Sequence, residues 1–259
     1  MKIIVTGGVG FVGTNLIKKL LSDGHDVVSL DNYSTGKKEN EQDGCKYIDV
    51  DVSDSSRKHK AFGLETYQLE NNFMGTLNVL DYARENDVPV VYAGSSTFHH
   101  GLWGSPYAWS KHSGEQLCKL YSTVYNLPTS ICRFYNVYGK HQLEDGAYAT
   151  VVGIFEKQFR EGRPLTVTGD GEQRRDFTHI EDIVDALIKL GQSLLSEDNS
   201  NVSGETFELG RGKNFSINEL AGMFGENYPT QYIPARDGEY DYTLADSTKA
   251  KELLGWNPT

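Results

Sequence analysis

Lys2-Ile-Ile-Val-Thr6-Gly7-Gly8-Val9-Gly10-Phe11-Val12-Gly13 opens the chain and decides how the rest is read. A short β-branched run ends in glycines spaced G-x-x-G-x-x-G, and helix-spaced apolar residues follow from Val12 to Ser22. The missing side chains let the backbone approach a pyrophosphate, and the helix N-terminus adds N–H donors and partial positive charge. Gly7, Gly10 and Gly13, with Phe11 and Val12, are therefore the expected phosphate cradle. The second candidate strand, Asp26 to Leu30, leads into Asp31, 18 residues past Gly13, where a ribose-binding carboxylate belongs. A carboxylate there repels a 2′-phosphate, so the expected cofactor is NAD rather than NADP. Asn32, Ser34 and Thr35 are placed to add hydrogen bonds to ribose and phosphate. Asp51 and Val52, after the third candidate strand, are placed to hold adenine.

Candidate strands at Lys2 to Thr6, Asp26 to Leu30, Lys46 to Val50, Pro89 to Ala93 and Ser130 to Phe134 alternate with helical patterns. The helices are Val12 to Ser22, Asn71 to Glu85 and Pro106 to Tyr125. This alternation predicts an α/β fold, a Rossmann doubly wound parallel sheet. After about Gly139 shorter helices, turns and aromatic loops suggest a smaller α+β substrate-binding region. The expected division is a NAD-binding domain over 1–139, with a returning segment near 174–190, and a mainly substrate-binding region over 140–259. Two capping boxes, Thr178-His-Ile-Glu181 and Ser216-Ile-Asn-Glu219, are expected to be structural, as is Gly255 as a helix stop.

Composition narrows the class. With 38% hydrophobic and 24% charged residues among 259, and a mean hydropathy of -0.49, the chain reads as a soluble globular protein. No apolar run approaches a membrane span, and Ile3 to Val5 breaks at once into Thr6-Gly7-Gly8, so a cytoplasmic location is expected. Cys45, Cys118 and Cys132 lack metal-ligand spacing and are expected to be free thiols, with no metal site. A net charge of -11 disfavours nucleic acid as a partner and requires a local cationic pocket for any anionic ligand.

Tyr107-Ala-Trp-Ser-Lys111 sets a phenol and an ammonium four residues apart on one helix face. At about 4 Å and an effective dielectric near 20 their attraction is ~4 kcal/mol, enough to lower a tyrosine pKa by up to ~3 units. A phenol so placed serves as a base near neutrality. Tyr33-Ser-Thr-Gly-Lys37 shows the same spacing but lies in a glycine-containing loop, where it is expected to be solvated. What separates Tyr107 is the strand just upstream, which ends in Ser95-Ser96-Thr97; open α/β sheets keep their active sites at strand ends. A serine there can relay a proton. His99 and His100 follow; adjacent residues on an extended segment point apart, so a loop or substrate-contact role is expected rather than a metal site.

The glycine turn, the serine pair before YAWSK, RFYNVYG at 133–139, GDGEQRRDFTHIEDIVDAL at 169–187 and the closing LADSTKAKELLGWNP resemble the extended short-chain dehydrogenases. Among these the chain is similar to the nucleotide-sugar epimerases and dehydratases, most of all the UDP-hexose and UDP-N-acetylhexosamine 4-epimerases. The resemblance implies retained NAD and catalysis by Ser96, Tyr107 and Lys111. It places Asn136 and the segment from Ala147 to Val152, including Tyr148 and Val151, at the nucleotide. It sets Arg175 and Arg236 on the substrate diphosphate and leaves Arg174 solvated.

Dehydratases of this family carry an Asp-Glu pair after the catalytic hydroxyl, and decarboxylases a glutamate; here Thr97 and Phe98 stand there, which favours redox epimerisation at C4. A net dehydrogenase or reductase, a decarboxylase or dehydratase, and an inactive NAD-binding sensor or scaffold remain as alternatives. The resemblance further implies a homodimer through the helices beginning near Asn71 and Pro106. It also puts a small residue, Thr243, where acetamido sugars are admitted, with Tyr242 as its neighbour should the register slip by one. Finally, the family's hydrophobic strand between the third strand and Asn72 has no counterpart from Asp54 to Asn71. Either a deletion or missing residues are expected there, with the junction within Arg57 to Gly63.

Overall fold

The computed structural model describes residues 1–53, 69–101, 103–146, 149–235 and 240–259. The expected junction at Arg57 to Gly63 lies outside them. Strand β1 (Lys2–Thr6) runs through the glycine turn into α1 (Phe11–Ser22), and β2 (Asp26–Asp31) and β3 (Lys46–Asp49) complete a parallel sheet in the order β1-β2-β3. A π-helical turn (Glu70–Met74) leads into α2 (Gly75–Glu85), then β4 (Val90–Ser95), α3 (Pro106–Tyr125) and β5 (Thr129–Phe134). β4 pairs in parallel with β5, and β5 in parallel with the later strand β10 (Thr206–Leu209).

The parallel α/β architecture is the expected one, but its sheet comes in two three-stranded halves. Among the described residues no ladder joins β1 to β4. On one side of the first half, Ile3, Val5, Val27 and Tyr47 pack with Ile17 and Leu20 of α1. Strand alternation sends Ile4 and Ile48 to the opposite side, where Ile4 is 43% and Ile48 38% exposed. A doubly wound sheet covers both faces.

Helix α5 (Ile180–Leu194) ties the halves together. Its Ile180, Ile183, Leu190 and Leu194 form one core with Cys132, Phe207, Leu209 and Trp256, against which Phe11 and Val12 of α1 and Val91 of β4 pack, while its Ile188 reaches the core under β1. The second half of the chain is α+β, as expected. α4 (Val151–Arg160), the parallel pair β7 (Leu165–Thr168) and β12 (Thr230–Ile233), and α6 (Ile217–Gly222) enclose a core of Phe155, Val167, Phe177 and Ile217. The short pairs β6 (Val137–Tyr138) with β9 (Thr178–His179), and β8 (Arg174–Asp176) with β11 (Asn214–Ser216), line the seam, and α7 (Thr248–Leu254) stops at Gly255 in the left-handed conformation.

The Ser216–Glu219 capping box forms in both directions. The other does not. Thr178 is a buried strand residue whose hydroxyl has no partner among the described residues, and His179 caps α5 instead, its Nδ1 accepting from the Glu181 amide at 3.4 Å. β9 runs one residue further than the pattern suggested, so the cap moves with it.

Candidate active site

The turn from β1 to α1 has the backbone geometry that a phosphate cradle needs. Gly7 sits at φ +69°, a conformation that favours glycine, and a Cβ on Gly13 would stand 2.2 Å from the Gly7 carbonyl oxygen. Gly10 is the N-cap and offers no side chain, and the first turn of α1 holds no acidic residue, so its N–H groups keep their pull for an anion. Phe11 and Val12 root the turn in the core.

Asp31 ends β2, 8% exposed, with Oδ2 accepting from the Val9 amide at 2.9 Å and Oδ1 from the Tyr33 amide at 2.8 Å. Each oxygen keeps a lone pair for a further donor. Asn32 donates to Asp51 Oδ2 at 3.1 Å and accepts from the Ser34 amide, while Asp51 also takes the Ser53 amide and hydroxyl. Burial works to raise the Asp51 carboxyl; the bonds from Ser53 and Asn32 outweigh it and hold the group below its ordinary value. The Val52 carbonyl accepts from Asn78 of α2 at 2.8 Å, and Thr35 is exposed. Tyr33 is not solvated as expected: at φ +55° its hydroxyl donates to Glu41 at 2.7 Å, a bond that pushes its pKa up to about 12. That copy of the tyrosine–lysine spacing is a strut of the ribose loop.

At the strand ends, Ser95 closes β4 and Ser96 opens a 3-10 turn, Ser96–His100. Ser95 Oγ accepts from the Thr97 amide at 3.3 Å and from its hydroxyl at 3.0 Å. Phe98 lies flat on Arg133, whose guanidinium carbon is 3.4 Å from the ring centre, so Thr97 and Phe98 are both committed within the protein. Tyr107 and Lys111 stand on the first turns of α3, which Ser105 caps by accepting from the Ala108 amide. The Lys111 ammonium lies 4.9 Å from the centre of the Tyr92 ring, and burial lowers its pKa from 10.5 to about 8 against the pull of Glu115.

Sequence reasoning missed Asn72, used only to mark a helix. Its amide donates to Ser110 Oγ at 3.0 Å, and Ser110 donates to the Tyr107 carbonyl at 2.9 Å, so it braces the turn that carries the phenol. Only the contact across 38 residues shows this.

The expected substrate residues meet in part. Asn136, at φ +31°, donates to Thr243 Oγ1 at 2.9 Å and to the Asp176 carbonyl at 3.2 Å, and Thr243 is 7% exposed. Val151 begins α4. Arg175 Nη1 donates to the Arg174 carbonyl. Arg174 stays at the surface, its side chain 40% exposed, and is bonded there to Asn214 at 3.0 Å and to Glu219 at 2.9 Å, because β8–β11 pairing lays it over the capping box. Ala147, Tyr148 and Arg236 lie outside the described residues. His99 forms a short hydrogen bond with Glu208, and among the described residues no cluster of metal-ligating side chains occurs.

The sequence pattern of the NAD dependent epimerase/dehydratase family matches residues 3–66 and 59–210. The chain belongs to that family. It is an enzyme with NAD as its cofactor, and the glycine cradle and the Asp31 carboxylate fit that group. A UDP-glucose 4-epimerase of Mycolicibacterium smegmatis is 30% identical over 301 positions, covering 100% of this chain and 94% of the relative. Those 301 positions exceed the 259 residues here, so at least 42 of them face a gap in this chain. The two family matches overlap at 59–66, within the segment that lacks a counterpart strand. Among solved structures, Thermotoga maritima UDP-glucose 4-epimerase with UDP-glucose superposes with a TM-score of 0.87 at 27% identity, covering 100% of this chain and 94% of the other. Bacillus cereus UDP-glucuronic acid 4-epimerase, in complex with UDP-glucuronic acid and NAD, gives 0.84 at 28%, with the same coverage. Among the described residues no helix is long and apolar enough to cross a membrane.

Proposed function

We propose that this enzyme is a nucleotide-sugar 4-epimerase acting on a UDP-linked hexose, UDP-N-acetylglucosamine or UDP-glucose. The observation that carries this reading is the loop after Ser96. Elimination or decarboxylation calls for a carboxylate there, whereas Thr97 is bonded to Ser95 and Phe98 is stacked on Arg133. Oxidation and re-reduction at one carbon is the chemistry left to a serine, a tyrosine and a lysine.

Gly7, Gly10 and Gly13 with the α1 amides of Phe11 and Val12 hold the pyrophosphate, Asp31, Asn32, Ser34 and Thr35 the ribose side, and Asp51 and Val52 the adenine. When bound, NAD takes up and returns the hydride. Tyr107 accepts the proton of the sugar 4-hydroxyl and gives it back, Ser96 relays that proton, and the Lys111 ammonium supports the phenolate. Asn136, Ala147, Tyr148 and Val151 line the nucleotide, Arg175 and Arg236 pair with the diphosphate, and Thr243 leaves room for an acetamido group. On this division residues 1–139, with the return near 174–190, serve the cofactor and 140–259 mainly the sugar. The enzyme works in the cytoplasm as a homodimer. The α2–α3 face supports the dimer, since Tyr82, Leu120, Val124 and Tyr125 are 46–57% exposed there.

Interconversion of UDP-galactose with UDP-glucose, or of their 2-acetamido counterparts, without net formation of NADH is the expected result. Tyr107→Phe is expected to lower turnover at least a thousandfold and keep NAD bound. Stoichiometric NADH would make the enzyme a dehydrogenase instead, and near-normal turnover by the phenylalanine variant would remove Tyr107 from the mechanism.

A further inference from the structure

Glu208 stands near the end of β10, with its side chain 15% exposed, and gathers four partners from distant parts of the chain. Oε1 takes His99 Nε2 from the Ser96 turn in a short bond. Oε2 accepts from the Tyr135 hydroxyl at 2.9 Å and from the Asp246 amide at 2.8 Å. Arg133 Nη1 lies 3.9 Å from Oε1 while the same guanidinium grips Glu115, itself 1% exposed, at 2.7 Å. Three of these partners border groups assigned to the sugar. His99 lies three residues after Ser96, Tyr135 precedes Asn136, and Asp246 follows Thr243 by three.

We infer that Glu208, through His99, is a positioning residue that fixes the Ser96 turn against the sugar-binding segments; this rests on the epimerase reading above. The 3-10 turn Ser96–His100 is held from outside by side chains, Phe98 on Arg133 and His99 on Glu208, and both anchors belong to one charge cluster. Tyr135 stays protonated and donates to the cluster, since burial first and the neighbouring carboxylate second push its pKa far above the ordinary tyrosine value. Removing the Glu208 charge weakens the His99 anchor and leaves Phe98 on Arg133 and the Thr97–Ser95 bond to hold the turn. A reacting group displaced by about 1 Å can lose on the order of a hundredfold in rate.

The test compares wild type with Glu208→Gln, which keeps the size of the side chain and an acceptor for Tyr135, and with His99→Ala and the double variant. Expected are a kcat ten- to a hundredfold lower, a KM for the nucleotide sugar within threefold of wild type, unchanged NAD content, and a double variant no worse than the poorer single. His99→Gln, which can still donate to Glu208, is expected to recover most of the rate. Hydrogen exchange gives a readout that needs no turnover: amides of 96–100 exchange at least tenfold faster in Glu208→Gln, while those of α3 do not change. Unchanged exchange in that turn, or faster exchange with kcat intact, overturns the inference. A wild type that turns over no UDP-sugar defeats the epimerase reading instead, and the exchange experiment still decides whether the clamp holds the turn.

Discussion

Lys111 shows what one buried charge does to stability and rate together. Its ordinary pKa of 10.5 falls to about 8 in the folded chain because burial penalises the ammonium. Between those values the unfolded chain binds more protons than the folded one, so stability rises with pH from about 8 to about 10.5 and the penalty is full below 8. Lys111→Met is therefore expected to stabilise the protein at pH 7 by up to about 3 kcal/mol, a gain that fades towards pH 10.5, as urea melts at both pH values would show. On the proposed mechanism, kcat/KM is expected to fall above pH 8 as the Lys111 charge supporting the Tyr107 phenolate is lost. A profile flat to pH 10 would detach Lys111 from the proton step. The Tyr107–Lys111 spacing was legible in the sequence. The Tyr92 ring beneath the ammonium was not, because it comes from β4, and no local pattern reports a contact between elements.

Among elements, the β1–turn–α1 unit was the most legible, since its glycines are dictated by backbone geometry alone. With 2.2 Å between a Cβ on residue 13 and the Gly7 carbonyl, Gly13→Ala must open the turn. The expected cost is about 1–3 kcal/mol, together with loss of NAD binding. Asp31→Ala should weaken NAD binding with a smaller change in melting temperature; equal melting and equal NAD affinity for both variants and wild type would refute the cradle. Strand ends differed from expectation by one or two residues where pairing extends the ladder, as at β4, which runs to Ser95 rather than Ala93 because Ser95 pairs with Phe134. The same extension at β9 moved the α5 cap from Thr178 to His179. Arg174 and Tyr33 escaped the sequence for a like reason: their partners Glu219 and Glu41 are supplied by tertiary placement.

At the scale of the whole molecule, two surfaces expose large apolar side chains among the described residues. One is the α2–α3 face, where Leu120 is 50% and Val124 57% exposed; if the proposed dimer forms through it, Leu120→Lys leaves the chain folded and shifts its mass in light scattering from dimer to monomer. The other is the break in the sheet. Ile4, Ile48 and Val50, 38–43% exposed, lie where a doubly wound fold sets a helix, and β1 and β4 each lack a ladder partner on one side among the described residues. The at least 42 positions by which the Mycolicibacterium relative exceeds this chain are enough for one helix, one strand and their connections. Grafting that relative's segment between Arg57 and Gly63 would cover the three side chains, worth about 2–3 kcal/mol, and close the ladder. The strand would also enter at the point where the strand order reverses, which is where open α/β sheets bind their dinucleotide. The grafted chain is therefore expected to melt higher, to unfold with a larger denaturant slope because it buries more surface, to protect the β1 amides from exchange, and to hold NAD more tightly. If NAD affinity and β1 protection match the parent chain, the two half-sheets already form a complete cofactor site, and the chain needs no further strand to work.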